Sequence, residues 1–185
     1  MPKRSQEHRD ARHRQILDGA RRCFAKHGYA GATVTRLEEE TGLSRGAIFN
    51  YFPSKKDIFI AVAVDVSSRF GDTLIEGGLD AALRAMAAED PEFIGVLIEV
   101  QSQLRHDEAF VRKFEEAAQA EQPRLTDWFE ERQRAGDFRN DVPSRDIGRF
   151  ATMVINGLAL RVAGADETDV EATITLLNDA LAPRK

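Results

Sequence analysis

Cysteine is nearly absent from this chain of 185 residues, which contains one, Cys23. A single thiol cannot form a disulfide within the chain, so the sequence excludes a disulfide-stapled domain and fits a reducing compartment. Long apolar runs are also missing, and no stretch reaches the roughly 18 unbroken apolar residues of a membrane span. The N-terminus, MPKRSQEHRDARHRQ, lacks the apolar centre of a signal peptide. These absences predict a cytoplasmic protein with no membrane partner.

Catalytic and metal-binding motifs are missing as well. The histidines, His8, His13, His27 and His106, form neither an H-E-x-x-H motif nor the Cys/His spacing of a zinc site. The chain also lacks a glycine loop of the kind that cradles phosphates. We therefore expect a protein that is not an enzyme, has no metal-binding residues and requires no cofactor.

Charge is divided unevenly along the chain, although its net value of −5 is ordinary. Residues 1–56 contain 12 Lys and Arg against 6 Asp and Glu, whereas residues 57–185 contain 14 against 25. A basic segment can engage phosphates locally even when the whole chain is acidic. We predict two domains, a basic N-terminal domain at 1–56 and an acidic C-terminal domain at 57–185.

Apolar residues recur at helical spacing almost everywhere, whereas strand-like alternation does not appear, so the chain is predicted to be all-α. Capping residues and glycines predict helices at 9–27, 34–41, 44–52 and from 54 onward. Amphipathic segments at 79–88, 91–105, 107–135, 144–163 and 166–181 follow. Gly77-Gly78 is predicted to be a connector, and Pro123 to kink or interrupt its helix.

Two short predicted helices are joined by Gly42-Leu43-Ser44. Their length and turn are typical of a helix-turn-helix, whose second helix fits the major groove of DNA. If Ile48 and Phe52 form the buried edge of that helix, Asn50 points away from the core. The residues that flank Asn50 are then Gly46, Ala47, Phe49 and Tyr51. The exposed face is small, aromatic and amide-bearing, which suits a base-reading surface, although two capped helices that merely pack together remain the alternative.

Each side chain of this face has a role that its chemistry allows. Asn50 can pair with an adenine edge, Phe49 can touch a thymine methyl group, and Arg45 can reach guanine or phosphate. The start of the next helix, with Lys55 and Lys56, is predicted to bind phosphate. The predicted DNA contacts are Thr33, Thr35, Ser44, Arg45, Gly46, Ala47, Phe49, Asn50, Tyr51, Lys55 and Lys56.

Residues 20–59, ARRCFAKHGYAGATVTRLEEETGLSRGAIFNYFPSKKDIF, closely resemble the N-terminal DNA-binding domain of the TetR family of bacterial transcriptional regulators. The motifs that carry the resemblance are F-x-x-x-G-Y, a T-V cap, G-x-S-x-G and F-P-S-K. The resemblance implies an all-α homodimer with a three-helix DNA-binding domain. It further implies that a fourth helix leads to a C-terminal domain that binds a small-molecule effector and dimerises through its last two helices. This chain departs from the frequent pattern L-Y-x-H-F, because its aromatic hydroxyl lies at Tyr51 and not at position 49.

Several shorter segments, RRCFAKHGY, ATVTRLEEETG, SRGAIF, QLRHDEAF and FRNDVP, resemble the aconitase repressors of actinobacteria. That resemblance implies a response to citrate with a divalent cation. Polar side chains within apolar helices are the candidate effector contacts, namely Gln101, Arg105, Asn156 and Arg161. The two arginines suit an anionic metabolite, although arginines also pair with carboxylates of the same protein.

The combined features predict a ligand-responsive repressor that binds a palindromic operator as a homodimer and is released by a small molecule. Two alternatives stay open, an activator of the same family and a helical interaction module that does not bind DNA. Basic residues also precede the first core positions, namely Lys3, Arg4, Arg9, Arg12 and Arg14. Contacts with DNA and simple solvation are both compatible with them.

Overall fold

The computed structural model of the chain describes residues 3–184, with the side chains of 6–102, 105–108, 110–116, 119 and 122–184. This part of the chain forms eight helices and no strand, which confirms the all-α prediction. The helices are α1 (Lys3–Gly31), α2 (Val34–Thr41), α3 (Arg45–Phe49), α4 (Lys55–Ala87), α5 (Pro91–Leu104), α6 (Glu108–Ala135), α7 (Ser144–Ala163) and α8 (Val170–Leu181). Across the described range, no helix is long and apolar enough to cross a membrane.

Helices α1 to α3 and the first turns of α4, here called the head, share a small apolar core. The Phe24 and Phe59 rings meet edge to face with centroids 5.3 Å apart, and Tyr29 packs against both. Helices α1 and α2 touch closely, because a Cβ placed on Gly19 would lie 2.7 Å from the Cα of Thr41. Glycine at position 19 is therefore required for this crossing.

The ends of the short helices follow local capping chemistry. Thr33 accepts a hydrogen bond from the Arg36 N–H, and Ser44 accepts one from the Ala47 N–H. Gly42 ends α2 with a φ of 68°, a left-handed conformation that glycine adopts without strain. The prediction that α3 runs to residue 52 is wrong. It ends at Phe49, since the Tyr51 amide donates to the carbonyl three residues earlier instead of four, and Pro53 disfavours helical backbone before it.

Helix α4 runs from the head into the rest of the molecule, here called the body (residues 71–184). It has 33 residues and crosses the predicted domain boundary at Lys56 without a break. Its backbone leaves helical geometry at Gly78, with φ 77° and ψ −175°. The predicted connector at Gly77-Gly78 is thus a sharp break between two helical segments and not a loop.

Three other predicted boundaries differ from the structure. Helix α1 begins at Lys3, although its geometry breaks at Gly28 as predicted. Helix α6 packs against α4 and α7 and continues through Pro123 without interruption, whereas a kink at this proline stays a prediction. Helix α8 begins at Val170 instead of 166, since Asp169 caps it by accepting a hydrogen bond from the Ala172 N–H.

The body packs α6 and α7 against α4, places α8 beside α4, and sets α5 between α1 and α7. Its buried side chains include Leu83, Phe93, Val100 and Ile147. Arg21 of α1 joins the head to the body. It forms an ion pair with Glu89, and its guanidinium carbon lies 4.7 Å from the centroid of the Phe93 ring.

Candidate DNA-binding surface and effector cavities

The predicted base-reading face lies on the outside of α2 and α3. Exposed residues on it are Thr33, Thr35, Ser44, Arg45, Gly46 and Asn50, and half-buried ones are Ala47, Phe49 and Tyr51. Ile48 and Phe52 are buried, as the helical periodicity predicts. A Cβ placed on Gly46 would meet no atom within 4 Å, so the surface is open at this point. The side-chain amide of Asn50 and the accessible backbone at Gly46 therefore both face outward.

Arg45 begins α3 and is held at two points. Its guanidinium carbon lies 5.8 Å from the centroid of the Phe49 ring, which aligns the side chain along the helix. Its backbone N–H donates to Glu38 Oε1 at 2.7 Å. Sequence reasoning missed Glu38, because its position predicts only an outward-facing side chain. Its carboxylate in fact fixes the start of α3 relative to α2.

Lys55 and Lys56 do not extend freely from the start of α4. The Nζ of Lys55 donates to the Tyr29 carbonyl at 2.7 Å and lies 4.6 Å from the Tyr29 ring centroid, and burial lowers its pKa. The Nζ of Lys56 donates to Asp107 Oδ2 at 2.8 Å, a hydrogen bond that raises the pKa of Lys56. Their contact with phosphate stays a prediction, and it requires both ammonium groups to leave these partners.

A crossed pair of salt bridges ties the start of α4 to the start of α6. Lys56 binds Asp107, and the next residue, Asp57, binds Lys113. The hydrogen bond from Lys113 holds the pKa of Asp57 below its usual value, and the Ser54 hydroxyl also donates to Asp57 at 2.7 Å. The partners lie more than fifty residues apart in sequence, so no local pattern could have predicted them. This pair links the body to the turn that follows α3.

A cavity of about 240 Å³ lies between α4, α6 and α7. It is mainly apolar, with Phe70, Met86 and Phe129 in its walls. Asn156, a predicted effector contact, lines it together with Ser67 and Thr152.

A cleft of about 340 Å³ lies beside the break of α4 at Gly78. Its walls carry charge of both signs, from Arg132 and from the carboxylates of Glu76, Asp80 and Asp137. Arg132 donates to Asp137 at 3.2 Å, and Asn178 of α8 donates to Asp80 at 2.9 Å. A groove of about 720 Å³ between α6 and α7 is lined by Arg145 and Arg149, which both form ion pairs with Asp146.

The remaining predicted effector contacts are not brought together. Gln101 and Arg105 are exposed at the end of α5, where the Arg105 Nε donates to His106 at 3.1 Å. Arg161 donates to the Thr168 hydroxyl at 2.7 Å and to the Glu167 carbonyl at 3.2 Å, so it holds the connection between α7 and α8. Binding of an effector by these residues stays a prediction.

The outer sides of α7 and α8 expose apolar surface. Within the described part of the chain, the large apolar side chains that remain exposed are Phe150, Met153, Leu160 and Leu176, at 39%, 63%, 60% and 70%. All of them belong to the last two helices. Exposed apolar side chains grouped in this way mark a surface that binds another molecule.

Comparison with known proteins agrees with this geometry. The family model for bacterial regulatory proteins of the tetR family matches residues 16–62, which contain the helix-turn-helix. The HTH-type transcriptional repressor Rv1474c of Mycobacterium tuberculosis is 38% identical over 98% of both chains. The HTH-type transcriptional repressor AcnR of Corynebacterium glutamicum is 38% identical over 92% of both chains.

Solved structures show the same fold. A TetR transcription regulator from Haloarcula marismortui has a TM-score of 0.70 at 25% identity and covers 93% of this chain and 98% of its own. FadR of Bacillus subtilis, in complex with stearoyl-CoA, has a TM-score of 0.62 at 19% identity and covers 91% of this chain and 96% of its own.

The relatives are regulators of transcription, which confirms the prediction that the chain is not an enzyme. Their similarity extends through the head and the body, so it is not restricted to the helix-turn-helix. The chain therefore belongs to the TetR family of bacterial regulatory proteins, in the branch of the AcnR repressors.

Proposed function

We propose that the chain is a transcriptional repressor that binds a palindromic operator as a homodimer and leaves it when a small molecule occupies the body. The outer face of α3 is the observation that carries this proposal. This face carries the exposed amide of Asn50 and the open backbone at Gly46. The side chain of Ser44 caps the start of the helix. Such a repressor acts in the cytoplasm, where bacterial DNA lies.

In this proposal Asn50 reads an adenine edge, Phe49 and Ala47 contact thymine methyl groups, and Arg45 reaches guanine or phosphate. The clamps on either side are the N-termini of α2 and α4, whose first backbone N–H groups have no partner within the helix. Thr33 and Ser54 cap these two helices. In this proposal the backbone N–H groups at the start of α4 bind phosphate, and the Lys55 and Lys56 ammonium groups join them once they leave their protein partners.

Selection of random-sequence duplexes by the purified chain tests DNA binding. We expect a palindrome whose half-sites lie about one helical turn, or a multiple of it, apart. The change Asn50→Ala should cost about 1 to 3 kcal/mol and relax specificity at one position. Asn140→Ala, at an exposed position of the body, is the matched control and should leave the selected sequence unchanged. A chain that enriches no sequence is instead an interaction module.

The exposed apolar side chains of α7 and α8 support a dimer built through these two helices. A two-fold axis would bring each side chain of one protomer against the same surface of the other. The dimer would then present two α3 helices to one face of the DNA. Whether the bound dimer represses or activates depends on where the operator lies relative to the promoter. The similar proteins Rv1474c and AcnR are repressors, which favours repression.

For the effector we propose citrate with a divalent cation, bound in the cleft beside Gly78. This cleft places Arg132, which can grip a carboxylate, near the carboxylates of Asp80 and Asp137. The described residues contain no cluster of three or more His, Cys, Asp or Glu side chains that could hold a metal alone. A magnesium ion is commonly held by one or two carboxylates together with its ligand, so the cation would enter with citrate.

Calorimetry with magnesium alone, citrate alone and both together tests this assignment. We expect measurable heat with both together, weaker binding of citrate alone and none of magnesium alone. Arg132→Gln should abolish binding, whereas Arg134→Gln, an exposed arginine two residues away, should preserve it. Binding that survives Arg132→Gln would place the effector elsewhere, and the groove with Arg145 and Arg149 would be the next site to test.

Release from DNA follows if the effector favours a different position of α4. The cleft adjoins the break at Gly78, and the same helix begins directly after the base-reading segment. The crossed pair Lys56–Asp107 and Asp57–Lys113 holds that beginning against α6. A ligand shifts such an equilibrium only by its differential affinity for the two states. The proposal therefore requires citrate to bind more weakly when operator is bound.

A further inference from the structure

Helix α1 begins well before its buried part. It starts at Lys3, whereas no residue from 6 to 15 is buried and the buried stretch starts at Ile16. Ten residues of α-helix cover about 15 Å, so a long exposed segment projects from the head. Packing in the core does not explain this segment. The side chains of Lys3 and Arg4, named above among the basic residues, lie outside the described residues.

One face of this segment continues the face that packs in the head. Residues three or four positions apart share a side of a helix, which places Arg9, Arg12 and His13 in line with Ile16 and Ala20. Ile16 and Ala20 are fully buried in the head core. The same face therefore changes from apolar to basic as it leaves the core.

The opposite face of the segment is mixed in charge. It carries Glu7, Asp10 and Arg14 and continues to Asp18. Asp10 accepts a hydrogen bond from Gln6 at 2.9 Å. The acidic side chains thus lie on the side of the helix away from Arg9 and Arg12. A segment that is only solvated by water does not require this separation of charges.

Two contacts place the basic face beside the base-reading surface. The His13 ring lies 5.1 Å from the ring of Phe52, which follows Asn50 and Tyr51 in the chain. The Gln15 amide donates to the Thr41 carbonyl at the end of α2, at 2.8 Å. Arg12 in turn donates to Gln15 at 3.0 Å. Arg12 therefore lies at the edge of the head, beside the segment that follows α3. Arg9 lies one helical turn further out on the same face.

We propose that Arg9 and Arg12 bind backbone phosphates of the DNA beside the half-site that α3 reads. A duplex against α3 carries a negative charge about every 1.7 Å along its axis, so phosphates border the contact with the bases on every side. Arginine presents a planar set of donors that fits a phosphate. This inference rests on the proposed function, because it takes the outer face of α3 as the surface that meets DNA.

The test measures affinity against salt concentration for the full chain and the variants Arg9→Gln, Arg12→Gln and Arg14→Gln. Arg14→Gln removes the same charge from the opposite face and is the matched control. The probes are the operator selected by the wild-type chain and a random-sequence duplex of equal length. Each lost phosphate contact lowers the slope of log affinity against log salt by about 0.9, so Arg9→Gln should lower it by nearly 2 in a dimer. Affinity near 0.1 M salt should fall on the order of tenfold or more on both probes.

The outcomes separate this inference from the function on which it rests. A slope for Arg9→Gln and Arg12→Gln equal to that of Arg14→Gln overturns the inference, while wild-type selection of a palindrome still supports the repressor. A loss on the selected operator alone would also overturn it, because phosphate contacts carry no sequence information. If the wild-type chain binds neither probe, both proposals are wrong. Thermal unfolding of each variant verifies that the head remains folded.

Discussion

The head and the body differ in how much apolar surface and open cleft each has in a single chain. In the head, the short helices are capped by Thr33, Ser44 and Ser54, and the rings of Phe24 and Phe59 fill the centre. The body instead exposes apolar side chains on α7 and α8 and contains clefts. In the proposed function, the head meets DNA with a surface that is already complete as a single chain. The body would be completed by a second protomer and by an effector.

The strongest way to break this comparison is to remove a large side chain from each region. Phe24→Ala deletes a fully buried ring, so it should lower the free energy of unfolding by about 3 to 5 kcal/mol. Phe150→Ala, in the body, removes a ring that is 39% exposed and should cost well under about 1 kcal/mol in a dilute, monomeric sample. Urea unfolding of both variants measures the difference. Equal losses would show that Phe150 belongs to the core of the single chain and not to a surface left for a partner.

A charge on α8 tests whether the body is completed by a second protomer. Leu176 is 70% exposed, and Leu176→Glu would place two carboxylates in an apolar interface related by a two-fold axis. We expect the dimer dissociation constant to rise on the order of a hundredfold or more, measured by sedimentation. Ala88→Glu adds the same charge at an exposed position at the end of α4 and should leave the dimer intact. A dimer that survives Leu176→Glu must use another face.

Substitutions at two glycines test close packing against open surface, and their expected effects on stability are smaller. In Gly19→Ala the new Cβ would meet the Thr41 side chain at 2.6 Å and its Cα at 2.7 Å, so α1 and α2 must move apart. We expect a loss of about 1 to 3 kcal/mol in the free energy of unfolding. In Gly95→Ala the Cβ meets no atom within 4 Å, so better helix propensity should add up to about 1 kcal/mol. Urea unfolding that ranks these variants the other way would contradict the packing of α1 on α2.

The smallest expected effect concerns the crossed pair that joins the two regions. Lys113 lowers the pKa of Asp57 in the folded chain, so this pairing stabilises the fold above the ordinary Asp value of 3.8. The contribution disappears as the pH falls through the lowered pKa. The stability difference between the wild type and Asp57→Asn should thus be constant from pH 7 to about 5 and shrink below about pH 4. A difference that does not change with pH, in urea unfolding at pH 7 and pH 3, would show that Asp57 acts without its charge.

Local chemistry explains which parts of the fold could be predicted. The bounds of α2 and α7 were predicted correctly, because caps such as Thr33 and Gly42 and the helical periodicity act within a few residues. The predicted end of α3 was three residues too late. The spacing of apolar residues does not reveal the turn hydrogen bond that replaces the helical one after Phe49. The course of α6 through Pro123 depends on neighbouring helices that the local sequence does not specify.

The candidate sites also contain features that the local sequence predicts and features that depend on the tertiary fold. The outward direction of Asn50 and the burial of Ile48 follow from helical spacing alone. The partners of Lys55 and Lys56 do not, because Tyr29 and Asp107 reach them only through the tertiary fold. Among the polar side chains predicted from apolar helices, Asn156 lines a cavity, whereas Arg161 holds the loop before α8. A cleft is created by elements distant in sequence, so its lining residues have no shared local pattern.

The central claim is that the body controls the affinity of the head for DNA through α4. The measurement that tests it most directly is the affinity of the wild-type dimer for its selected operator, with and without saturating citrate and magnesium. We predict that saturation weakens operator binding by about 5- to 150-fold, the range of ordinary allosteric coupling. An operator affinity that stays the same while calorimetry shows the body site to be full would contradict the account.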